Sequence, residues 1–97
     1  MQSSVYQTNQ SRESSTILPR IVKADKSAVE NCIDTYGNLV WAMAREHTNS
    51  LEEAEIVTRE IFLDIWRYAG RCDSTKFEEP AFIILIARRR LIKHLSK

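Results

Sequence analysis

The segment 50–69, SLEEAEIVTREIFLDIWRYA, carries enough periodicity to set the fold class of the chain. Ser50 with Glu53 three residues on forms a capping box, a hydroxyl placed to accept an N-terminal amide and a carboxylate placed to reach back. It opens a helix expected from Leu51 to about Ala69. Ala54, Val57, Ile61, Ile65 and Tyr68 recur along it at steps of three and four, and Phe62 and Trp66 widen the stripe. At roughly 100° per residue, Glu52, Ile56, Arg59, Glu60, Leu63 and Arg67 gather on the other side. Two aliphatics among charges there are either scattered surface hydrophobics or a docking face.

The same grammar repeats upstream. In SAVE, Ser27 is the expected N-cap and Glu30 its capping-box partner, opening a helix from Ala28 to about His47. Its stripe reads Val29, Ile33, Tyr36, Val40 and Met43. Gly37 inside it costs about 1 kcal/mol relative to Ala, either for a close helix crossing or for no structural reason. A short helix is expected in ILPRIVKA, ending before Asp25. The first sixteen residues, MQSSVYQTNQSRESST, offer almost nothing to bury and read as a disordered polar tail. Downstream, GRCDSTKFEE reads as a loop, with Gly70 ending one helix and Pro80 in the first turn of the next. Strand alternation, internal repeats and glycine-rich phosphate loops are absent from the sequence. The expected fold is all-α: a compact bundle over 17–97 of three long helices plus a short N-terminal one.

The closing stretch AFIILIARRRLIKHLSK, residues 81–97, changes from apolar to basic midway. On a helical wheel Ala81, Ile84, Leu85, Ala87, Leu91, Ile92 and Leu95 share an arc of about 160°, which is the expected core face. Arg89, Arg90, Lys93, His94 and Lys97 form a basic stripe opposite. Arg88 falls in the middle of the apolar arc, where it must snorkel or pair with Glu60 or Asp64. Phe82, Ile83 and Ile86 fall on the solvent side, covered by the preceding loop or bordering a binding surface. A basic stripe beside an aromatic suits a nucleic-acid strand, with cations for phosphates and a flat ring for a base; a merely solvated basic face is the alternative.

Net charge is +1, but its distribution is split. Lys23 to Trp66 carries four basic and nine acidic residues, and Arg67 to Lys97 carries eight basic and three acidic. Cys32 and Cys72 stand apart with no ligand spacing around them, consistent with a reduced, cytoplasmic protein and no metal. No segment approaches the roughly 20 apolar residues of a membrane span. Neither His47 nor His94 belongs to a metal-binding helix motif, and no nucleophile elbow or Walker loop occurs, so an enzyme is not expected. The acidic group Glu52, Glu53 and Glu55 is accounted for by the helix dipole. No cofactor is implied. Without further information, a helical interaction adaptor using the Ile56/Leu63 face competes with a nucleic-acid-binding module.

AVENCIDTYGNLVWAMARE, AEIVTREIFLDIWR, RCD and AFIILIARRRLIKHL occur in an order and spacing that resembles region 2 of bacterial RNA polymerase sigma factors of the extracytoplasmic-function group. The resemblance covers about Leu18 to Lys97. It implies a helical domain that docks on the clamp helices of the polymerase β′ subunit and helps melt the promoter minus-ten element, recognising its non-template strand. Glu52, Ile56, Arg59, Glu60 and Leu63 then fall at polymerase-binding positions. The loop Arg71 to Pro80, with Lys76 and Phe77, corresponds to the base-capturing loop. Arg88 to Arg90 and Lys93 match the segment lying along DNA. The DNA-binding set is read as Lys76, Phe77, Phe82, Arg89, Arg90, Lys93 and Lys97, with Arg88 structural. An anti-sigma factor is a further implied partner. Relatives reading AEDLVQEVF have Asp and Gln where this chain has Ile56 and Arg59, and RFD has become RCD at Cys72. The family's second DNA-reading domain, region 4, would begin beyond Lys97, so the chain reads as a fragment.

Overall fold

The computed structural model describes residues 17–73 and 78–95. Regular structure among them is helical throughout: α1 (Ile17–Val22), α2 (Lys26–Glu46), α3 (Leu51–Tyr68) with a 3₁₀ turn at Ala69–Arg71, and α4 (Glu79–Leu95). The expected all-α architecture, three long helices and one short, is what is found. The segment 1–16, read as a polar tail, lies outside the described residues.

The α1–α2 junction departs from the expected capping box. Ala24 adopts a left-handed conformation, φ 64°, its amide bonding to the Ile21 carbonyl and that of Asp25 to the Arg20 carbonyl. This pair of bonds is a Schellman motif with Ala where Gly is usual. The cap of α2 is therefore Asp25, two residues before Ser27. One Asp25 oxygen accepts from both the amide and the hydroxyl of Ser27, at 3.0 and 2.7 Å. The carboxylate outcompetes the hydroxyl because it brings a full charge to the helix N-terminus. Arg20 Nε, 3.0 Å from the other oxygen, closes the corner.

In α2 the buried residues are Ala28, Cys32, Tyr36, Val40 and Ala44, whereas Ile33 is 46% exposed. The expected stripe was rotated toward the larger side chains. Small buried residues win because they let neighbouring helices approach, and close packing outweighs the size of any one side chain. Gly37 is not at a helix crossing: a Cβ there would meet only Ile33 Cγ2, at 3.8 Å.

Helix α3 follows its sequence reading closely. Ser50 Oγ accepts from the Glu53 amide at 3.0 Å, although the Glu53 carboxylate bonds the Asn49 amide. Ala54, Val57, Ile61, Phe62 and Ile65 are buried as expected, and Asp64 is buried with them. Gly70 lies inside the 3₁₀ turn rather than ending α3.

Helix α4 begins with Glu79 and has Pro80 in its first turn, but its core face is not the one the wheel gave. Phe82, Ile83, Ile86, Ala87 and Leu91 are buried, while Ile92 and Leu95 are 58% and 59% exposed. Phe82, Ile83 and Ile86, placed on the solvent side, are core, and Arg88 is exposed rather than centred on an apolar arc. Seven consecutive apolar residues surround the whole helix, so they cannot fix its rotation. The basic half fixes it, by a contact with α3.

Candidate functional site

Helices α3 and α4 run antiparallel, so position 90 meets 64 and position 94 meets 53. Arg90 forms a two-pronged ion pair with Asp64, Nε to Oδ2 at 2.8 Å and Nη2 to Oδ1 at 2.9 Å. Its Nη1 lies 4.0 Å from Glu60. Asp64 is 7% exposed, and the Arg90 hydrogen bonds hold its carboxyl below the usual range against the opposing effect of burial. The sequence reading identified both carboxylates but gave them to Arg88. Arg88 and Arg90 are two residues apart, so about 200° of rotation about the helix axis separates that expectation from the structure.

His94 is also turned inward, its Nε2 2.7 Å from Glu53 Oε2. Glu53 therefore serves the α3 cap and the α4 contact together. The amide of Asn49 and then His94 lower its carboxyl pKa. Of the expected basic stripe, Arg89 and Lys93 face solvent, and among the described residues neither has an ion-pair partner. Lys76, Phe77 and Lys97 lie outside the described residues.

Phe82 is 4% exposed and belongs to the hydrophobic core, which removes it as an open stacking surface for a base. The aromatic near the basic residues is instead Tyr68, half-buried, with the Arg71 guanidinium 5.3 Å from its ring centre. In the sequence Tyr68 reads only as the last residue of the α3 core stripe. Trp66 packs on Phe62 with ring centres 5.6 Å apart.

The outer face of α3 is as open as its sequence implied. Ile56 is 45% and Leu63 52% exposed. Glu52 and Arg59 are exposed beside them, and Glu60 is half-buried toward Arg90. Exposed aliphatics flanked by charges form a face that a partner can desolvate.

A third polar contact went unseen in the sequence. Glu79, 4% exposed, accepts from the Leu18 amide at 2.7 Å and from the Tyr36 hydroxyl at 2.9 Å. It caps α1 from a distance and ties α1, α2 and α4 together. Burial pushes its carboxyl pKa up, with the hydrogen bonds opposing. In sequence it resembles any acidic residue in a first helical turn, so no local signal marked it.

Among the described residues no His, Cys, Asp and Glu group is arranged to hold a metal ion, and no helix is long and apolar enough to cross a membrane. Residues 32–97 match the family described as Sigma-70 region 2. Similar curated proteins are the ECF RNA polymerase sigma factor SigK of Mycobacterium bovis (strain BCG / Pasteur 1173P2) and of Mycobacterium tuberculosis (strain ATCC 25618 / H37Rv). Each is 28% identical over 76 residues, covering 78% of this chain and 41% of the relative. The chain thus spans about two fifths of the length of these relatives. No solved structure matches it significantly.

Proposed function

Because the chain belongs to the sigma-70 region 2 family, we propose that it is the part of a transcription initiation factor that docks on the β′ clamp helices of RNA polymerase and helps open the promoter minus-ten element. The observation that carries this reading is the division of the α3–α4 pair into an aliphatic face, Ile56 and Leu63, and a basic edge, Arg89 and Lys93. The first suits a protein groove and the second a phosphate backbone. Glu52, Arg59 and Glu60 rim the docking face. Lys76, Phe77 and Lys97 join the DNA side through the family resemblance, and Phe82 and Arg90 serve it from within, by fixing α4. This reading assigns no catalytic step and places the protein in the cytoplasm. It also admits an anti-sigma factor as a partner.

Capture of core polymerase by the tagged chain tests the docking half. Leu63→Asp and Ile56→Asp are each expected to reduce capture by roughly tenfold or more, with the urea midpoint almost unchanged because both side chains are exposed. Capture unaffected by either substitution refutes the assignment of this face. Equal loss of stability and capture shows that the face is part of the fold.

A further inference from the structure

Once α4 has turned Phe82, Ile83, Ile86 and Leu91 into the core, part of the apolar arc that its sequence carries is left outside. Leu85, Ile92 and Leu95 are 36%, 58% and 59% exposed, and they lie within about 80° of one another around the helix. Tyr36 in the middle of α2 bonds Glu79 at the start of α4, and further on the last turns of the two helices flank one groove of about 330 Å³. The helices therefore run parallel. Met43 and Leu91 lie in this groove beside Ile92 and Leu95, with Glu46 on the α2 rim and Arg88 on the α4 rim. Both charged residues are exposed, and among the described residues neither has an ion-pair partner. Single exposed aliphatics are ordinary on a protein surface, but three on one face beside an open groove form a patch that a partner can remove from water.

We propose that this face pairs with the same face of a second copy of the chain, as a weak dimer with twofold symmetry. The occupant has to be apolar in its middle, to cover Ile92 and Leu95, and has to bring a cation to Glu46 and an anion to Arg88. A twofold operation supplies all three from the chain itself. A face with an acid on one rim and a base on the other is complementary to its own copy, so the Arg88 of each copy meets the Glu46 of the other. An anionic lipid surface satisfies Arg88 but repels Glu46. A nucleic-acid strand meets the same obstacle and leaves the aliphatics uncovered. The size of the face sets the strength of the pairing. Seven groove residues and Leu85 fall well short of the roughly 20–30 residues a side of a standard interface, and exposed ion pairs at its rims add little. The dissociation constant is accordingly expected on the order of 100 µM. The face shares no residue with the Ile56/Leu63 face or with Arg89 and Lys93, so the pairing stands or falls apart from the function proposed above.

Sedimentation equilibrium of the 97-residue chain, from about 10 µM to about 1 mM, brackets that constant. Ile92→Asp and Leu95→Asp are each expected to weaken self-association roughly tenfold or more without moving the urea midpoint, because both side chains are exposed. Val22→Asp, also 58% exposed but on α1, should associate like the unaltered chain. The rim charges give a second test that leaves the aliphatics in place. Arg88→Glu and Glu46→Arg should each weaken self-association roughly fivefold to tenfold, through two like-charge pairs per dimer. An equimolar mixture of these two variants should recover the affinity of the unaltered chain to within about threefold, since opposite charges then meet at both rims. A chain monomeric throughout the range overturns the proposal. Dimerisation indifferent to Ile92→Asp and Leu95→Asp also overturns it, as does a mixture that associates no more tightly than its separate variants, because either result places the contact elsewhere. Co-sedimentation of a monomeric chain with phosphatidylglycerol vesicles, abolished by Leu95→Asp, identifies a lipid-facing surface and overturns the pairing.

Discussion

Asp64 is an ionised carboxylate stripped of nearly all its hydration, and Arg90 supplies both charge and hydrogen bonds in place of water. Removing Arg90 leaves that charge with little compensation. Arg90→Ala is accordingly expected to destabilise by about 2–4 kcal/mol, and Arg88→Ala and Arg89→Ala by under about 0.5 kcal/mol. Urea denaturation of the three variants decides the matter, since equal losses would mean that the Asp64 pair does not hold α4. Cys32 makes a second residue-level case. Burial, with a contribution from the Glu79 charge, pushes its thiol up to about 12, so almost no thiolate forms near neutral pH. Alkylation at about pH 8 should label the half-exposed Cys72 first, and Cys32 only as the chain opens. Labelling in the reverse order would contradict the packing around α2.

The α1–α2 corner shows how an element boundary can be set by chemistry that a capping pattern does not contain. Ala24 pays the left-handed penalty at φ 64° so that the Arg20 and Ile21 carbonyls are bonded and Asp25 is delivered to cap α2. Glycine relieves that strain. Ala24→Gly is expected to change stability favourably by a few tenths to about 1 kcal/mol, after allowing for glycine's greater freedom in the unfolded chain. A thermal midpoint lower than the parent's would show that the corner is not under strain. Helix α4 gives the complementary lesson. Its apolar half specifies burial without direction, and the Arg90–Asp64 and His94–Glu53 contacts supply the direction.

Across the whole molecule, carboxylates hold the helices together and set the response to acid. Asp64 is lowered chiefly by Arg90, Glu53 by the Asn49 amide, and Asp25 by the Ser27 hydroxyl. A carboxyl lowered on folding releases its proton more readily in the native state, so the stability it contributes is present above its unfolded pKa of about 4 and is lost as pH falls through the folded value. Glu79 acts oppositely. Its raised carboxyl favours the native state on protonation, so its contribution falls as pH rises from the unfolded to the folded value. The three lowered groups should dominate, giving a urea midpoint that drops below about pH 4. Asp64→Asn should flatten that acid limb while lowering the midpoint at neutral pH; an acid limb as steep as the parent's would remove Asp64 from this account.

What the sequence determined alone is local in origin. The Ser50 cap, the stripe of α3 and the helical class follow from hydrogen bonds and periodicities within a few residues. The exposed Ile56/Leu63 face follows from that same stripe, because α3 has one strongly apolar side and thus one possible orientation. The rotation of α4, the inward turn of Arg90 and His94, the small-residue seam of α2 and the capping of α1 by Glu79 were decided only in the tertiary structure. Their partners lie 26, 41 and 61 residues away for Arg90, His94 and Glu79. A charge at such a position is buried or solvated according to what the folded neighbour offers it, and no local pattern carries that information.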